Sequence, residues 1–234
     1  MDAIFKEHGI SVSAKALKRL ELYIDLLIAQ NEKVNLTAIT DREQIILKHF
    51  LDSLMLSKFE DIGGKKLIDI GSGAGFPGLV LGVCESNLSV LLMDSRGKKV
   101  MFLEEVIDKL RLSTVKALHA RAEAAAREPG LRESFDIATS RAVAKLSVLC
   151  EYALPYVKVG GVFAAYKGSE YREELEEAAL AIEILGGKVE RVESFKLAGG
   201  NELSRSLIFI RKLSEAPQKY PRKSNAIAKK PIMR

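Results

Sequence analysis

The first 60 residues carry their apolar side chains at helical spacing. Leu20, Ile24 and Leu27 follow one another at three- and four-residue intervals, which places them on one face of a helix. Ser13 precedes this run and can accept a hydrogen bond from a free backbone amide at the start of the helix. A polar break follows over residues 30–35, so the helix is predicted to end before it.

A second helix is predicted after this break. Thr40 and Glu43 have the spacing of a capping box, in which two side chains satisfy free amides at a helix start. Ile46, Phe50 and Leu54 then recur every four residues. No stretch before residue 60 has the pattern of a strand, so we expect a helical N-terminal extension.

The pattern changes at Gly63 and Gly64, after which short apolar segments alternate with amphipathic ones. Five strands are predicted, at residues 66–70, 88–93, 115–118, 135–139 and 162–166. Helices are predicted over residues 95–110, through 149–152, and over 169–185. This alternation is typical of a parallel sheet with helices on both faces.

Two late strands break the alternation. Residues 189–196 and 206–211 have strand character with no helix between them, which predicts an antiparallel hairpin at one edge of the sheet. The chain is therefore expected to consist of a helical extension at residues 1–62, an α/β core at 63–213 and a tail at 214–234.

The basic excess of the chain lies in the tail. The chain has 36 lysines and arginines against 31 acidic residues, a net charge of +5. Residues 214–234 contain six basic residues and one acidic residue, so the rest of the chain balances at 30 and 30. A basic tail can bind nucleic acid or keep the protein soluble. Its three prolines and weak periodicity predict an extended or loosely packed segment.

Composition excludes several classes of protein. Cys84 and Cys150 are the only cysteines and lie far apart, which excludes a disulfide scaffold and a cysteine zinc site. No apolar run approaches 18 residues, and the N-terminus lacks the apolar core of a signal peptide. We therefore expect a cytoplasmic protein without a membrane partner, and no metal site is predicted.

A glycine-rich segment follows the first predicted strand. It reads Asp69-Ile-Gly71-Ser-Gly73-Ala-Gly75-Phe-Pro-Gly78 and leads into an apolar helix. Ligands of open α/β sheets bind at the carboxyl ends of the strands, where this loop is expected to lie. A tight turn without a ligand is the alternative.

Two cofactors compete for this loop. Gly73, Gly75 and Gly78 match the dinucleotide fingerprint, with Asp94 at the end of the next strand as the ribose-binding acid. The other candidate is S-adenosylmethionine, which also offers a ribose to Asp94. A carboxylate at Asp69 disfavours an anionic pyrophosphate and suits a cofactor with a cationic amine and a cationic sulfonium. Charge therefore favours S-adenosylmethionine.

Further motifs, in this order along the chain, resemble the bacterial small-subunit (16S) ribosomal RNA methyltransferase G family, also called glucose-inhibited division protein B. Besides the glycine loop, they are Asn35-Leu-Thr37, His49-Phe-Leu-Asp52-Ser53, Asp94-Ser95, Lys98-Lys99, Phe102-Leu103, Arg121-Ala-Glu123, Thr139-Ser-Arg141-Ala142 and Lys167-Gly168. The resemblance implies a Rossmann-like class I methyltransferase fold: a mostly parallel twisted sheet with helices on both faces. It also implies methylation of ring nitrogen 7 of a guanine in 16S rRNA near the decoding site. The partner would be the small ribosomal subunit or its precursor, and no protein partner is predicted.

The charge argument and the resemblance together place a cofactor site. Its expected residues are Asp69, Gly71, Gly73, Gly75, Phe76, Asp94, Ala122, Glu123 and Arg141. Within it, Asp94 would bind the ribose, and Ala122 and Glu123 would flank the adenine. Arg141 and Lys167 are candidates to orient the target base, and we predict no general base.

RNA contacts are expected from a further set of residues: Asn35, Thr37, His49, Lys98, Lys99 and Arg121. Structural alternatives stand beside them. Lys98 and Lys99 fit the solvated face of a helix, His49 fits a hydrogen-bonded structural histidine, and Asn35 and Thr37 fit a turn.

Three other functions remain open at this point: a methyltransferase with a small-molecule substrate, an RNA-binding module with a vestigial cofactor loop, and a nicotinamide-dependent oxidoreductase. The tail also departs from the family, because Asn225 and Ile227 stand where glycine and proline are expected. These two residues leave the path of the tail open.

Overall fold

The structure, a computed structural model, describes residues 1–197 and 203–233. Its helices in this part of the chain are α1 Asp2–Glu7, α2 Ala14–Val34, α3 Arg42–Ile45, α4 Asp52–Phe59, α5 Gly78–Cys84, α6 Gly97–Leu110, α7 Ala122–Ala125, α8 Leu146–Ala153, α9 Tyr171–Ile184 and α10 Ser224–Lys229. Its strands are β1 Lys66–Ile70, β2 Ser89–Asp94, β3 Val115–His119, β4 Phe135–Arg141, β5 Val157–Gly168, β6 Gly187–Leu197 and β7 Leu203–Lys212.

The described strands form one sheet in the order β3-β2-β1-β4-β5-β7-β6. Strands β1 to β5 pair in parallel, whereas β7 is antiparallel to both β5 and β6. The α/β fold class and the antiparallel edge hairpin are therefore confirmed. Helices cover both faces because parallel strands must be joined by crossovers.

The N-terminal helices pack on one face of this sheet. Ser13 caps α2 as predicted, since its hydroxyl oxygen accepts a hydrogen bond from the Ala16 amide at 3.2 Å. Buried α2 residues such as Leu20 and Leu27 share one apolar cluster with Leu79 of α5. The second face carries a separate cluster built from α8, α9 and the C-terminal tail. The extension thus shares a core with the sheet.

Two details of the N-terminal prediction were wrong. The polar stretch at 30–35 does not end α2 early, because these polar side chains occupy its outer surface and the helix continues to Val34. Asp41, not Thr40, caps α3, and its Oδ1 accepts the Gln44 amide at 2.9 Å. Between α3 and α4 the chain is wound as a π-helix over Ile46–Leu51, a rare geometry that is often found at functional sites.

The C-terminal tail is not loosely packed, contrary to expectation. Tyr220 and Ile232 are buried in the core of the second face, and Ile227 is buried as well. Arg222 forms a bidentate ion pair with Glu151 of α8. Its Nη2 donates to Oε2 at 2.6 Å and its Nε donates to Oε1 at 2.9 Å. Apolar anchors and a buried carboxylate therefore fix a segment whose prolines suggested an extended chain.

Within residues 1–197 and 203–233, none of the helices combines the length and apolar character needed to cross a membrane.

Candidate functional site

The carboxyl ends of β1, β2 and β4 meet at a point where the strand order reverses. The chain runs outward from β1 through β2 to β3, then returns to the other side of β1 with β4. Ligands of open α/β sheets bind at such a point. A cleft of about 460 Å³ lies there, which we call the switch-point cleft.

Five sequence-predicted residues line the switch-point cleft. They are Gly71 after β1, Asp94 at the end of β2, and Arg121, Ala122 and Glu123 after β3. A side chain on Gly71 would not fit, because a Cβ there would lie 2.6 Å from Val143 Cγ2, and its φ of +73° is in the left-handed region that favours glycine. Gly71 therefore permits the close approach of Val143 at the wall of the cleft.

The Asp94 carboxylate holds the glycine loop through a hydrogen bond to its backbone. Its Oδ2 accepts the Gly73 amide at 2.9 Å and its Oδ1 accepts the Arg96 amide at 2.8 Å. Gly73 has a φ of +61°, in the left-handed region that favours glycine. Each carboxylate oxygen has a second lone pair, so Asp94 can still accept hydrogen bonds from two hydroxyl groups of a ligand.

Asp69 does not line the cleft, which corrects the argument that its charge meets the cofactor. Its side chain is fully buried, and Oδ2 accepts the Gly78 amide at 2.9 Å at the start of α5. Burial raises the pKa of Asp69 to about 7. Its role in this structure is to hold the loop against the first turn of α5.

Gly75 and Phe76 also lie outside the switch-point cleft. A Cβ on Gly75 would approach the Tyr23 hydroxyl at 2.5 Å, so this glycine permits close packing of α2 on the loop. The Phe76 ring is buried and stacks on the His49 ring, with 4.4 Å between ring centroids. Phe76 thus connects the loop to the π-helical segment.

A second cavity of about 330 Å³ adjoins this stack, and we call it the arginine cavity. Arg141, at the end of β4, lies on its wall and not on that of the switch-point cleft. Arg141 Nη1 donates to Asp52 Oδ2 at 2.7 Å and to the Lys48 carbonyl at 3.2 Å. Its guanidinium carbon lies 5.1 Å from the centre of the Phe76 ring.

His49 joins Arg141 to Thr37. Arg141 Nη2 lies 3.2 Å from His49 Nδ1, and His49 Nε2 lies 2.8 Å from Thr37 Oγ1. Since a guanidinium can only donate, Nδ1 must accept and Nε2 must carry the proton. Burial and the charge of Arg141 lower the pKa of His49 to about 3. His49 is therefore a neutral positioning residue.

The other predicted side chains fall into two groups. Lys167 lines the arginine cavity, yet its ammonium is held by Glu174 at 2.6 Å and by the Ala144 carbonyl at 2.9 Å. Asn35, Lys98 and Arg121 are exposed, and Lys99 is half-buried beside the glycine loop. Asn35 ends α2 with a φ of 50°, which fits its structural alternative of a turn.

Sequence reasoning missed two sets of lining residues. Asp52 lies on the wall of the arginine cavity, and only its position in the motif beside His49 pointed to it. Ser224, Ala228 and Pro231 of the tail line the switch-point cleft. No spacing in the sequence signals this second contact, because the tail reaches the cleft through tertiary packing.

We expect opposite pH trends from two variants. The pKa of His49 is about 3 in the folded protein and about 6.5 in the unfolded chain, so between these values the unfolded chain binds one proton more than the folded protein. The free energy of unfolding of the wild type therefore decreases as the pH falls below about 6.5. His49→Asn should therefore gain stability relative to wild type as the pH falls.

The second variant concerns Asp69. Because the pKa of folded Asp69 is about 7, wild-type stability falls as the pH rises from about 4 to about 7. Asp69→Asn should therefore gain stability relative to wild type as the pH rises. Urea unfolding across this range measures both, and curves parallel to wild type would contradict the two assignments.

Sequence comparison finds close relatives that align with nearly the whole chain. A family model described as rRNA small subunit methyltransferase G matches residues 16–208. Ribosomal RNA small subunit methyltransferase G of Lachnoclostridium phytofermentans is 48% identical over 227 residues, 97% of this chain and 93% of the relative. The protein of the same name from Geobacillus kaustophilus is 46% identical over 230 residues, 98% of this chain and 96% of the relative.

Solved structures share the architecture at much lower identity. TYW2 of M. jannaschii in complex with AdoMet superposes with a TM-score of 0.53 at 17% identity, over 69% of this chain and 75% of that one. Precorrin-6y C5,15-methyltransferase of Geobacter metallireducens gives a TM-score of 0.54 at 16% identity, over 74% of this chain and 91% of that one. At these identities the likeness concerns the fold.

Proposed function

Because the chain belongs to the rRNA small subunit methyltransferase G family, we propose that it transfers the methyl group of S-adenosylmethionine to ring nitrogen 7 of a guanine in 16S rRNA. The observation that carries the site assignment is that consecutive residues after β4 line the two cavities. Ala142 lines the arginine cavity, and the next residue, Val143, lines the switch-point cleft. A cofactor in one and a base in the other would meet at the end of β4.

The residues of the switch-point cleft fit S-adenosylmethionine. Asp94 has free lone pairs for the two ribose hydroxyl groups, and Ala122 and Glu123 line the same cleft, where they would flank the adenine. Gly71 lines the same cleft, where the methionine end of the cofactor would lie beside the end of β1. When bound, the cofactor supplies an electrophilic methyl group on a cationic sulfur.

The protein contributes mainly positioning. Ring nitrogen 7 of guanine supplies the electron pair for the new N–C bond, and the electron pair of the broken S–C bond stays on sulfur. No proton leaves the base, so no general base is needed. Holding two reactants in line is worth about 7–11 kcal/mol of the barrier. We assign that task to the wall of the arginine cavity, with Arg141 as its central cation and Lys167 fixed beside it.

Replacing Asp94 by alanine should weaken cofactor binding. Loss of a charged hydrogen-bond partner costs about 1–3 kcal/mol, and the Gly73 amide would also lose its acceptor. Titration calorimetry with S-adenosylmethionine measures this loss. Asp69→Asn is the matched control, because Asp69 is fully buried outside the cleft and should leave the affinity within about twofold of wild type. Unchanged affinity for Asp94→Ala would remove Asp94 from the site.

We assign the RNA contacts to exposed cations, two from the sequence-predicted set and others from the tail. Arg121 is exposed on the wall of the switch-point cleft, and Lys98 is exposed at the start of α6. Lys223, Lys229 and Lys230 are exposed on the tail, which contributes part of the same wall. Cations in such positions suit phosphate contacts, which fix orientation without reading sequence. This arrangement supports the 16S rRNA of the small subunit as the partner.

The form of the substrate is tested by transfer of a labelled methyl group to unmodified small subunits and, separately, to protein-free rRNA. Label in either RNA supports the proposal, and the faster substrate shows whether ribosomal context is read. Cofactor binding with no label in either would instead favour a small-molecule substrate. Absence of both cofactor binding and label would leave the RNA-binding module.

A further inference from the structure

Asp52 lines the arginine cavity, and one of its carboxylate oxygens has no hydrogen-bond partner. The residue is 1% exposed, and its Oδ2 is bound by Arg141. Its Oδ1 accepts no hydrogen bond from any residue in 1–197 or 203–233, and Arg205 Nε lies 3.7 Å away, an ion pair too long for a hydrogen bond. A buried acceptor without a hydrogen bond costs free energy, so such an atom calls for a ligand or another explanation.

Asp52 differs from the other buried groups of this kind. In the described part of the chain, the remaining unpartnered side-chain atoms are Asp69 Oδ1, Arg132 Nε and Ser147 Oγ. None of these three residues lines the switch-point cleft or the arginine cavity. Of these four residues, only Asp52 lines the arginine cavity, where the target base is proposed to lie.

The reaction creates a need for such an acceptor. Adenine carries the same ring nitrogen 7 as guanine, so the attacking atom cannot distinguish the two bases. The opposite edge can: guanine has a ring N1–H and an exocyclic N2 amino group, both donors, whereas adenine has an acceptor at N1. Enzymes that take up unstacked bases read this edge by hydrogen bonds. A carboxylate oxygen accepts from both guanine groups and repels the adenine lone pair.

We propose, resting on the function proposed above, that Asp52 Oδ1 selects guanine by accepting hydrogen bonds from the N2 amino group and N1–H of the target base. Arg141 holds the other oxygen and so fixes the carboxylate in one orientation. Attack through nitrogen 7 leaves positive charge on the purine ring, which makes its N–H groups better donors. The contact to Asp52 therefore strengthens in the transition state and assists the rate as well as the choice of base.

The test uses small subunits reconstituted with 16S rRNA that carries either guanine or inosine at the methylated position. Inosine keeps ring nitrogen 7 and N1–H but lacks the N2 amino group. We expect wild-type kcat/KM to be at least about tenfold higher for guanine than for inosine, since a site built around a donor rejects the analogue without it. Equal rates of the wild-type protein on the two substrates would by themselves overturn the proposal. No transfer to guanine at all would refute the proposed function instead.

Asp52→Asn provides the second readout. Arg141 can only donate, so the amide oxygen must face Arg141 and the amide nitrogen must take the place of Oδ1. Guanine donors would then meet a donor. We expect the guanine-to-inosine ratio to fall to about one, with S-adenosylmethionine affinity unchanged because Asp52 lies outside the cleft. A ratio that stays at the wild-type value would reduce Asp52 to a structural partner of Arg141.

Lys48→Met is the matched control for this measurement. Lys48 lines the same cavity but is a cation, suited to phosphate and not to the donor edge of a base. Its removal should raise KM for both substrates and leave the guanine-to-inosine ratio at the wild-type value. A ratio that falls as far for Lys48→Met as for Asp52→Asn would mean that loosening the cavity, not loss of a specific acceptor, sets the preference.

Discussion

Replacing Arg141 by alanine is expected to lower the free energy of unfolding by about 3–5 kcal/mol and to slow methyl transfer by on the order of 100-fold. The stability loss follows because Asp52, 1% exposed, would keep a buried charge without its partner. The activity loss follows because the same guanidinium also holds His49 and the Lys48 carbonyl. Urea unfolding and single-turnover methyl transfer measure the two effects.

A double variant separates stability from activity. Arg141→Met combined with Asp52→Leu replaces the whole ion pair by apolar groups, which is often neutral or stabilising in a buried site. We expect it to recover most of the unfolding free energy and to remain slow in methyl transfer. If Arg141→Ala were as stable as wild type, or if the double variant lost the sum of two single losses, the pair would not be coupled as described.

The second large effect is expected at the tail. Glu151 is fully buried and is held by the Arg222 guanidinium and by the Arg222 backbone amide, the latter at 2.7 Å. Arg222→Ala should destabilise the docked tail by about 2–5 kcal/mol, as for other buried charge pairs that lose one partner. Because Ser224, Ala228 and Pro231 line the switch-point cleft, S-adenosylmethionine affinity should fall as well. Limited proteolysis reports the release of the tail, and calorimetry reports the affinity.

The control for this experiment keeps the shape of the contact. Glu151→Gln retains an oxygen for the Arg222 amide and avoids a buried unpaired charge, so it should release the tail less than Arg222→Ala does. Arg222→Ala with wild-type proteolysis and wild-type cofactor affinity would show that the tail does not depend on this ion pair.

The sequence predicted well those features that depend on local spacing. The parallel sheet follows from alternating strands and helices, and Asp94 and the glycine loop meet because neighbouring parallel strands end at the same edge. Asp69 shows the limit of this reasoning. Its position at a strand end is a local property, whereas its complete burial under α5 depends on packing that no spacing records.

Features made by distant segments were harder to predict. The resemblance implies that Arg141 lies beside the methionine end of the cofactor or beside the target base. The structure places it on the arginine cavity, because His49 of the π-helical segment and Asp52 at the start of α4 hold its guanidinium there. The prolines and weak periodicity of the tail predict an extended or loosely packed segment, whereas the structure docks it on α8. Its buried partner Glu151 lies 71 residues earlier in the chain, beyond the reach of any local pattern.

The central claim is methylation of ring nitrogen 7 of one guanine in 16S rRNA, and identification of the labelled atom tests it most directly. Unmodified small subunits would be incubated with the protein and methyl-labelled S-adenosylmethionine, and the labelled nucleotide then located in the RNA and its methylated atom identified by mass spectrometry. We predict label in a single nucleotide, 7-methylguanosine. Label on another base, on another atom of guanine, or spread over many positions would contradict the account.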